Sequence, residues 1–336
     1  MTPHADFGRF FLPGPTEVHP DVLVAMERPV IGHRGPEMRD LLESVDQPLR
    51  LLFGANRPVF ISTSSATGFM EASIMNLSRR RVLCLVNGAF GARFHAISER
   101  CGRSADRLDV PWGQPNTADE LRKALLAAPD RYDLVTVVHS ETSTGVLNPI
   151  ADLCGVVAEF DDVLLAVDGV TSVGGTRIEF DRWGVDFLLT GSQKALALPP
   201  GLAFAAASDR ALERAASIPC RGFYFDLVEF DRRAGEYSTA NTPAVSLIYA
   251  LQVQLGRIEN EGLEARFARH DRMARRTGEW TENLAESTGQ GFEVLALEGF
   301  RSPTVTAISL PAGVSGPAIV EHLADEGITI ATGYGR

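Results

Sequence analysis

Two residues of this sequence have types and placements suited to amine and carbonyl chemistry. Lys194 ends the run Thr190-Gly191-Ser192-Gln193-Lys194, directly after the apolar segment Val185-Asp186-Phe187-Leu188-Leu189, so an amine is delivered to the end of a strand-like stretch. Taken alone, such a lysine reads as a surface side chain, its stem over apolar atoms and its head in water. Its neighbours change that reading. Asp168 closes the near-continuous apolar run Val163-Leu164-Leu165-Ala166-Val167, the pattern of a buried parallel strand with a site residue at its C-terminal end. Beyond the lysine, Leu198-Pro199-Pro200-Gly201-Leu202 forms a rigid turn that fixes the chain. An amine that forms a Schiff base and a carboxylate that pairs with a pyridinium nitrogen are the two groups pyridoxal phosphate (PLP) requires of a protein.

The elements that must position these groups follow from periodicity. Apolar runs predict strands over 81–86, 133–139, 163–168, 185–190 and 202–207, with helices over 91–101 and 150–159 between them. That alternation describes a mainly parallel sheet covered by helices, whose sites lie beyond the C-terminal strand ends. The residues near Phe90, Glu141, Asp168 and Lys194 all fall there. After Pro243 the pattern shifts to two long amphipathic stretches, from Val245 and from about Leu263 to Ser287. A small α+β unit follows, with strands over 292–297, 304–310 and 328–331 and a helix over 316–326.

Composition narrows the class of partner. A net charge of −11 over 336 residues argues against nucleic acid as a main partner, because phosphate binding needs clustered Lys and Arg. The two dense basic clusters, Arg79 to Arg81 and Arg272 to Arg276, read as solvated helix ends or faces. Cys84, Cys101, Cys154 and Cys220 lack metal-ligand or disulfide spacing and suit reduced thiols. Without a signal-like N-terminus or a long apolar span, the chain is expected to be cytoplasmic.

The chain resembles a class V PLP-dependent aminotransferase of the alanine/serine–glyoxylate (serine–pyruvate) branch, over nearly its whole length. The match rests on Leu12-Pro13-Gly14-Pro15-Thr16, Gly32-His33-Arg34, Ser64-Ser65-Ala66-Thr67-Gly68 and Asn87-Gly88-Ala89-Phe90-Gly91. It continues through His139-Ser140-Glu141-Thr142-Ser143-Thr144-Gly145, Asp168-Gly169-Val170, the segment holding Lys194, and Asn241-Thr242-Pro243. The resemblance implies PLP-transferase fold type I. Its domains would be an N-terminal segment, 1–20, closing over the site, a large PLP domain, 21–243, and linking helices with a small α+β C-terminal domain, 244–336.

Roles follow from the same resemblance. Lys194 would form the Schiff base and then act as general base, and Asp168 would keep the pyridine nitrogen protonated. Ser65, Ala66 and Thr67, which composition alone reads as a helix cap, would bind the phosphate with Gln193. Phe90 would stack on the ring and Val170 press on its other face. Ser143, or Thr142 in its place, would approach the phenolic oxygen. Asn241 and Thr242 would reach the phosphate of a neighbouring subunit, making a homodimer with a shared site. Gly14 and Arg34 would lie near the substrate.

The reaction implied is transfer of an amino group from alanine, serine or aspartate to glyoxylate or pyruvate. The alternatives are a PLP lyase or desulfurase of the same fold, a phosphoserine-type aminotransferase, and a catalytically silent PLP-binding protein. Against a desulfurase, Ser192-Gln193 precede the lysine where those enzymes carry a histidine, and no cysteine sits in a recognisable catalytic loop. A nicotinamide oxidoreductase would need G-x-G-x-x-G, which 169–175 does not fit. The family's carboxylate-binding arginine follows a Gly-Tyr-Gly-like loop, and here Gly333-Tyr334-Gly335-Arg336 ends the sequence. The small domain is therefore expected to be incomplete, that arginine either following Arg336 or missing from the protein.

Overall fold

The buried strands set the architecture of the computed structural model, which describes residues 8–334. Helices α1 (Pro20–Ala25) and α2 (Pro36–Phe53) precede strand β1 (Phe60–Ser62). The chain then alternates through α3 (Ala66–Leu77), β2 (Arg81–Val86), α4 (Ala89–Arg100), β3 (Ser104–Asp109), α5 (Ala118–Ala127) and β4 (Leu134–Val138). A small hairpin, β5 (Ser140–Glu141) and β6 (Val146–Leu147), leads into α6 (Ile150–Val157), β7 (Leu164–Asp168), α7 (Phe180–Trp183), β8 (Phe187–Gly191) and β9 (Ala203–Ala207). Helices α8 (Asp209–Ser217), α9 (Leu227–Gly235), α10 (Val245–Glu261) and α11 (Leu263–Thr288) follow, then β10 (Glu293–Val294), β11 (Ile308–Ser309) and α12 (Gly316–Asp325).

Seven strands form one sheet in the order β1-β9-β8-β7-β4-β2-β3. From β3 to β8 every pairing is parallel, and β9 runs antiparallel between β8 and β1. Period-two alternation divides each strand between two cores. In β7, Leu165 and Val167 pack in one cluster with Leu49 and Phe53 of α2, Val157 of α6 and Leu251 of α10. Leu164 and Ala166 pack in the other with Phe69 and Ile74 of α3 and Phe94 of α4. Burial on both faces is why β4 and β7 read as near-continuous apolar runs. The expected α/β architecture with a mainly parallel sheet between helical layers is the one observed.

Register then sets the site. Val138 pairs with Asp168, and Asp168 with Leu189, so the ends of β4, β7 and β8 share one edge of the sheet. The small C-terminal unit docks on the β5–β6 hairpin, Leu147 N donating to Phe300 O at 2.7 Å and Ser302 N to Gly145 O at 2.8 Å. The strand expected over 328–331 does not form. Among the described residues its backbone makes a single bridge, Phe10 to Thr329, with Arg9 O and Phe11 N as the cross-chain partners of Thr329. Among the described residues no helix is long and apolar enough to cross a membrane.

Candidate active site

Lys194 leaves the sheet three residues past β8 and turns back over the edge occupied by Asp168. Its side chain is almost buried, and Nζ donates to Pro13 O at 2.6 Å. Gly14 makes that approach feasible, since a Cβ there would lie 2.6 Å from Lys194 Cε and 2.7 Å from Nζ. Burial pulls the Lys194 ammonium below its ordinary value, Asp168 opposes that shift, and Arg93 adds to it. Asp168 is 2 % exposed and is pushed up to about 6, chiefly by burial. The Val170 N–H, donating to Oδ1 at 2.8 Å, pulls the other way, and nearby Glu141 raises it further. No hydrogen bond reaches its second oxygen among the described residues.

Both groups line one pocket with Ser65, Ala66, Thr67 and Gln193. About 460 Å³ there is unfilled, counting the open mouth. Ser65 caps α3 by position, but its hydroxyl makes no capping bond. The start of this twelve-residue helix, Ser65 to Thr67, thus lines the pocket with its partly positive N-terminal end, which favours a negative charge. Glycine at 191 lets the end of β8 approach this helix start, since a Cβ there would stand 3.3 Å from Ala66 Cβ and 2.7 Å from Gln193 Oε1.

Phe90 and Val170 both lie on the pocket wall. Phe90 opens α4, and what holds it is Glu141, a fully buried carboxylate on the β5–β6 hairpin. Glu141 Oε2 accepts from Phe90 N at 3.0 Å and Gly91 N at 3.1 Å, while Oε1 accepts from Ser143 N at 3.0 Å and Ser143 Oγ at 2.6 Å. Ser143 Oγ in turn accepts from Ala89 N at 2.9 Å. The first three N–H groups of α4 are thereby satisfied from another element. The Ser143 hydroxyl, expected near the phenolic oxygen, is engaged in this helix cap, and Ser143 is not among the residues of the pocket wall. Thr142 supplies the hydroxyl there, bonded to Thr171 Oγ1 at 2.7 Å.

The clamp needs glycine at 88 for space, because the backbone there is extended and unstrained. An added Cβ would fall 2.5 Å from Glu141 Cγ and 2.6 Å from Cδ. Gly88→Ala is expected to destabilise the protein by about 1–3 kcal/mol through overpacking. Urea denaturation checks this, and an unchanged midpoint would mean the hairpin yields freely.

Asn241 and Thr242, expected at a neighbouring subunit's phosphate, and Arg34 stand apart from the lining of this chain's own pocket. Asn241 Nδ2 donates to Tyr224 O at 3.1 Å, Thr242 is exposed, and neither lines the cavity. Arg34 is exposed and is not among the lining residues, and Arg336 lies outside the described residues. Arg93 is a wall residue that sequence reasoning missed. Its guanidinium carbon stands 4.6 Å from the Phe90 ring centre, and it forms no ion pair among the described residues. Helical spacing of three from Phe90 was the available signal. The Tyr334 ring, 5.7 Å from that of Phe90, also reaches this region.

Comparison with known proteins agrees with this geometry. The sequence model of the family Aminotransferase class-V matches residues 18–335. An uncharacterized aminotransferase of Methanocaldococcus jannaschii is 41% identical over 310 residues, 90% of this chain and 78% of that protein. The L-aspartate–glyoxylate aminotransferase of Paracoccus denitrificans is 33% identical over 335 residues, 97% of this chain and 83% of its own length. The crystal structure of an alanine–glyoxylate aminotransferase from Nostoc sp. superposes with a TM-score of 0.90 at 32% identity, covering 98% of this chain and 86% of that one.

Proposed function

Because this chain belongs to the class-V aminotransferases, with their PLP-transferase type I fold and their pyridoxal 5′-phosphate, we propose that it moves the amino group of a small L-amino acid, alanine, serine or aspartate, to glyoxylate or pyruvate. The carrying observation is that a lysine made easier to deprotonate and a buried carboxylate with an open oxygen line one pocket. Glyoxylate is the partner shared by the names of the Paracoccus and Nostoc proteins, whose donors are aspartate and alanine.

The residues present suit the cofactor. Asp168, desolvated and with one oxygen unbonded, would hold a protonated ring nitrogen, a contact that would return its charge to the ordinary range. Ser65, Ala66, Thr67 and Gln193 would hold the phosphate, Phe90 and Val170 would flank the ring, and Thr142 would present its hydroxyl to the ring's phenolic oxygen. The bound cofactor supplies the electron sink that makes the substrate α-proton labile. Lys194 then takes and returns that proton, because its buried amine loses its own proton more readily than a solvated one. The N-terminal segment closes the site through Pro13 O and through Thr16, whose hydroxyl donates to Lys194 O at 2.9 Å.

A homodimer completes the proposal. Asn241 and Thr242 sit beside Phe223, 94% exposed, and Tyr224, 44% exposed, an apolar stretch that a second copy would cover while presenting those polar groups to its phosphate site. Four unpaired cysteines accord with a cytoplasmic protein.

The test is the visible absorbance of the cofactor-loaded protein on separate addition of alanine, serine and aspartate. Loss of the band with at least one donor, and its return with glyoxylate, is expected. A band that none of the three discharges would overturn the assignment of substrates.

A further inference from the structure

We infer that Arg266, on α11 and outside the pocket, is a positioning residue that holds the turn carrying Lys194 in register with the loop that follows Asp168. The inference rests on the proposed role of Lys194. Residues 193–196 lie between β8 and β9 without a ladder partner, and each of their four carbonyls accepts a hydrogen bond from a distant element. Gln193 O accepts from Thr16 N at 2.9 Å and Lys194 O from Thr16 Oγ1 at 2.9 Å. Ala195 O accepts from Arg266 Nη2 at 2.5 Å and Leu196 O from Gln254 Nε2 at 2.8 Å. The next residue, Ala197, has φ of 50°, a left-handed backbone that a non-glycine residue keeps only when its surroundings impose it.

Arg266 does more than satisfy one carbonyl. Its Nε donates to Gly174 O at 2.6 Å, in the loop leaving Asp168, and its Nη1 pairs with Glu261 at 3.0 Å. The two loops already touch, since a Cβ on Gly174 would lie 3.0 Å from Leu196 Cδ2 and one on Gly175 would lie 3.0 Å from Ala195 Cβ. A planar guanidinium bonded to both loops sets their separation and angle together, which a single ammonium cannot do. Burying a charge at 7% exposure is costly, and this one contacts the two loops that carry the reacting groups. Glu261, Arg269 and His270 are the titratable groups around Arg266, whereas Asp168 and Arg93 face Lys194.

Arg266→Lys and Arg266→Met in the full chain test this. Lys123, exposed on α5, is the only other lysine, so pH-dependent labelling of Lys194 by an amine-reactive reagent is readable by peptide mass spectrometry in the cofactor-free protein. With Arg266→Met, which adds no lysine, the labelling midpoint is expected to rise, as a loosened Lys194 regains water. Turnover should fall by about tenfold or more, with KM changed much less, as for a misplaced reacting group. A lowered melting temperature with an unmoved labelling midpoint would overturn positioning, and so would failure of both variants to fold, which would mark a purely structural brace. If the wild-type protein gave no visible band with PLP, the reading of Lys194 would fail first. The labelling midpoints would still decide the claim about Arg266.

Discussion

Replacing Lys194 by alanine is expected to lower transamination by on the order of 10⁴, the scale of losing a positioned proton-transfer group. Lys194 is buried at the pocket, and the chain's other lysine, Lys123, lies exposed on α5, so no second amine stands ready to substitute. Arg93, on the pocket wall, carries only hydrogen-bond donors and offers no acceptor for a substrate proton. Methylamine added to the variant should restore part of the rate, since a small amine fits where the stem has been removed. Single-turnover kinetics measure both effects. A Lys194→Ala protein within tenfold of wild type would remove Lys194 from the mechanism.

Asp168→Asn should separate function from stability. Raising a carboxylate from 3.8 to about 6 corresponds to about 3 kcal/mol. The sign follows from proton counting. Between those values the folded protein holds the proton and the unfolded chain does not, so this group's stabilising contribution is complete below 3.8 and is lost as pH rises through about 6. Above that, the cofactor-free protein bears a buried charge that Lys194, Arg93 and the Val170 N–H offset only in part. The asparagine variant, without cofactor, should therefore be more stable than wild type at pH 8 by up to about 3 kcal/mol, with the difference gone near pH 4. Turnover with PLP should fall by on the order of 10² to 10³, as when one preorganised electrostatic partner is removed. Urea denaturation at the two pH values, set beside kcat, tests the pair of claims. Equal stabilities at pH 8 would mean the charge is fully compensated.

Reading the sequence located Asp168 and Lys194 because both follow apolar runs, and an unbroken apolar run is local information that survives without a fold. The same reasoning found most of the sheet. It failed over 328–331, where an extended, apolar segment has single-bridge pairing, since a strand exists only if a partner lies beside it. It left Ser143 and Thr142 undecided for a related reason. Adjacent hydroxyls are equivalent in a sequence, and only the packing of α4 against the hairpin turns one toward Glu141 and leaves the other on the pocket wall.

The sequence by itself determined the strand ends, the helical layers and the two groups whose types suit the proposed cofactor chemistry, all written within windows of a few residues. The tertiary structure alone decided which hydroxyl faces the pocket, that Arg93 joins its wall, and that Arg266 ties together loops about seventy and ninety residues before it. Those outcomes depend on side-chain direction across contacts between distant elements, and no local pattern encodes the direction in which a side chain will find its partner.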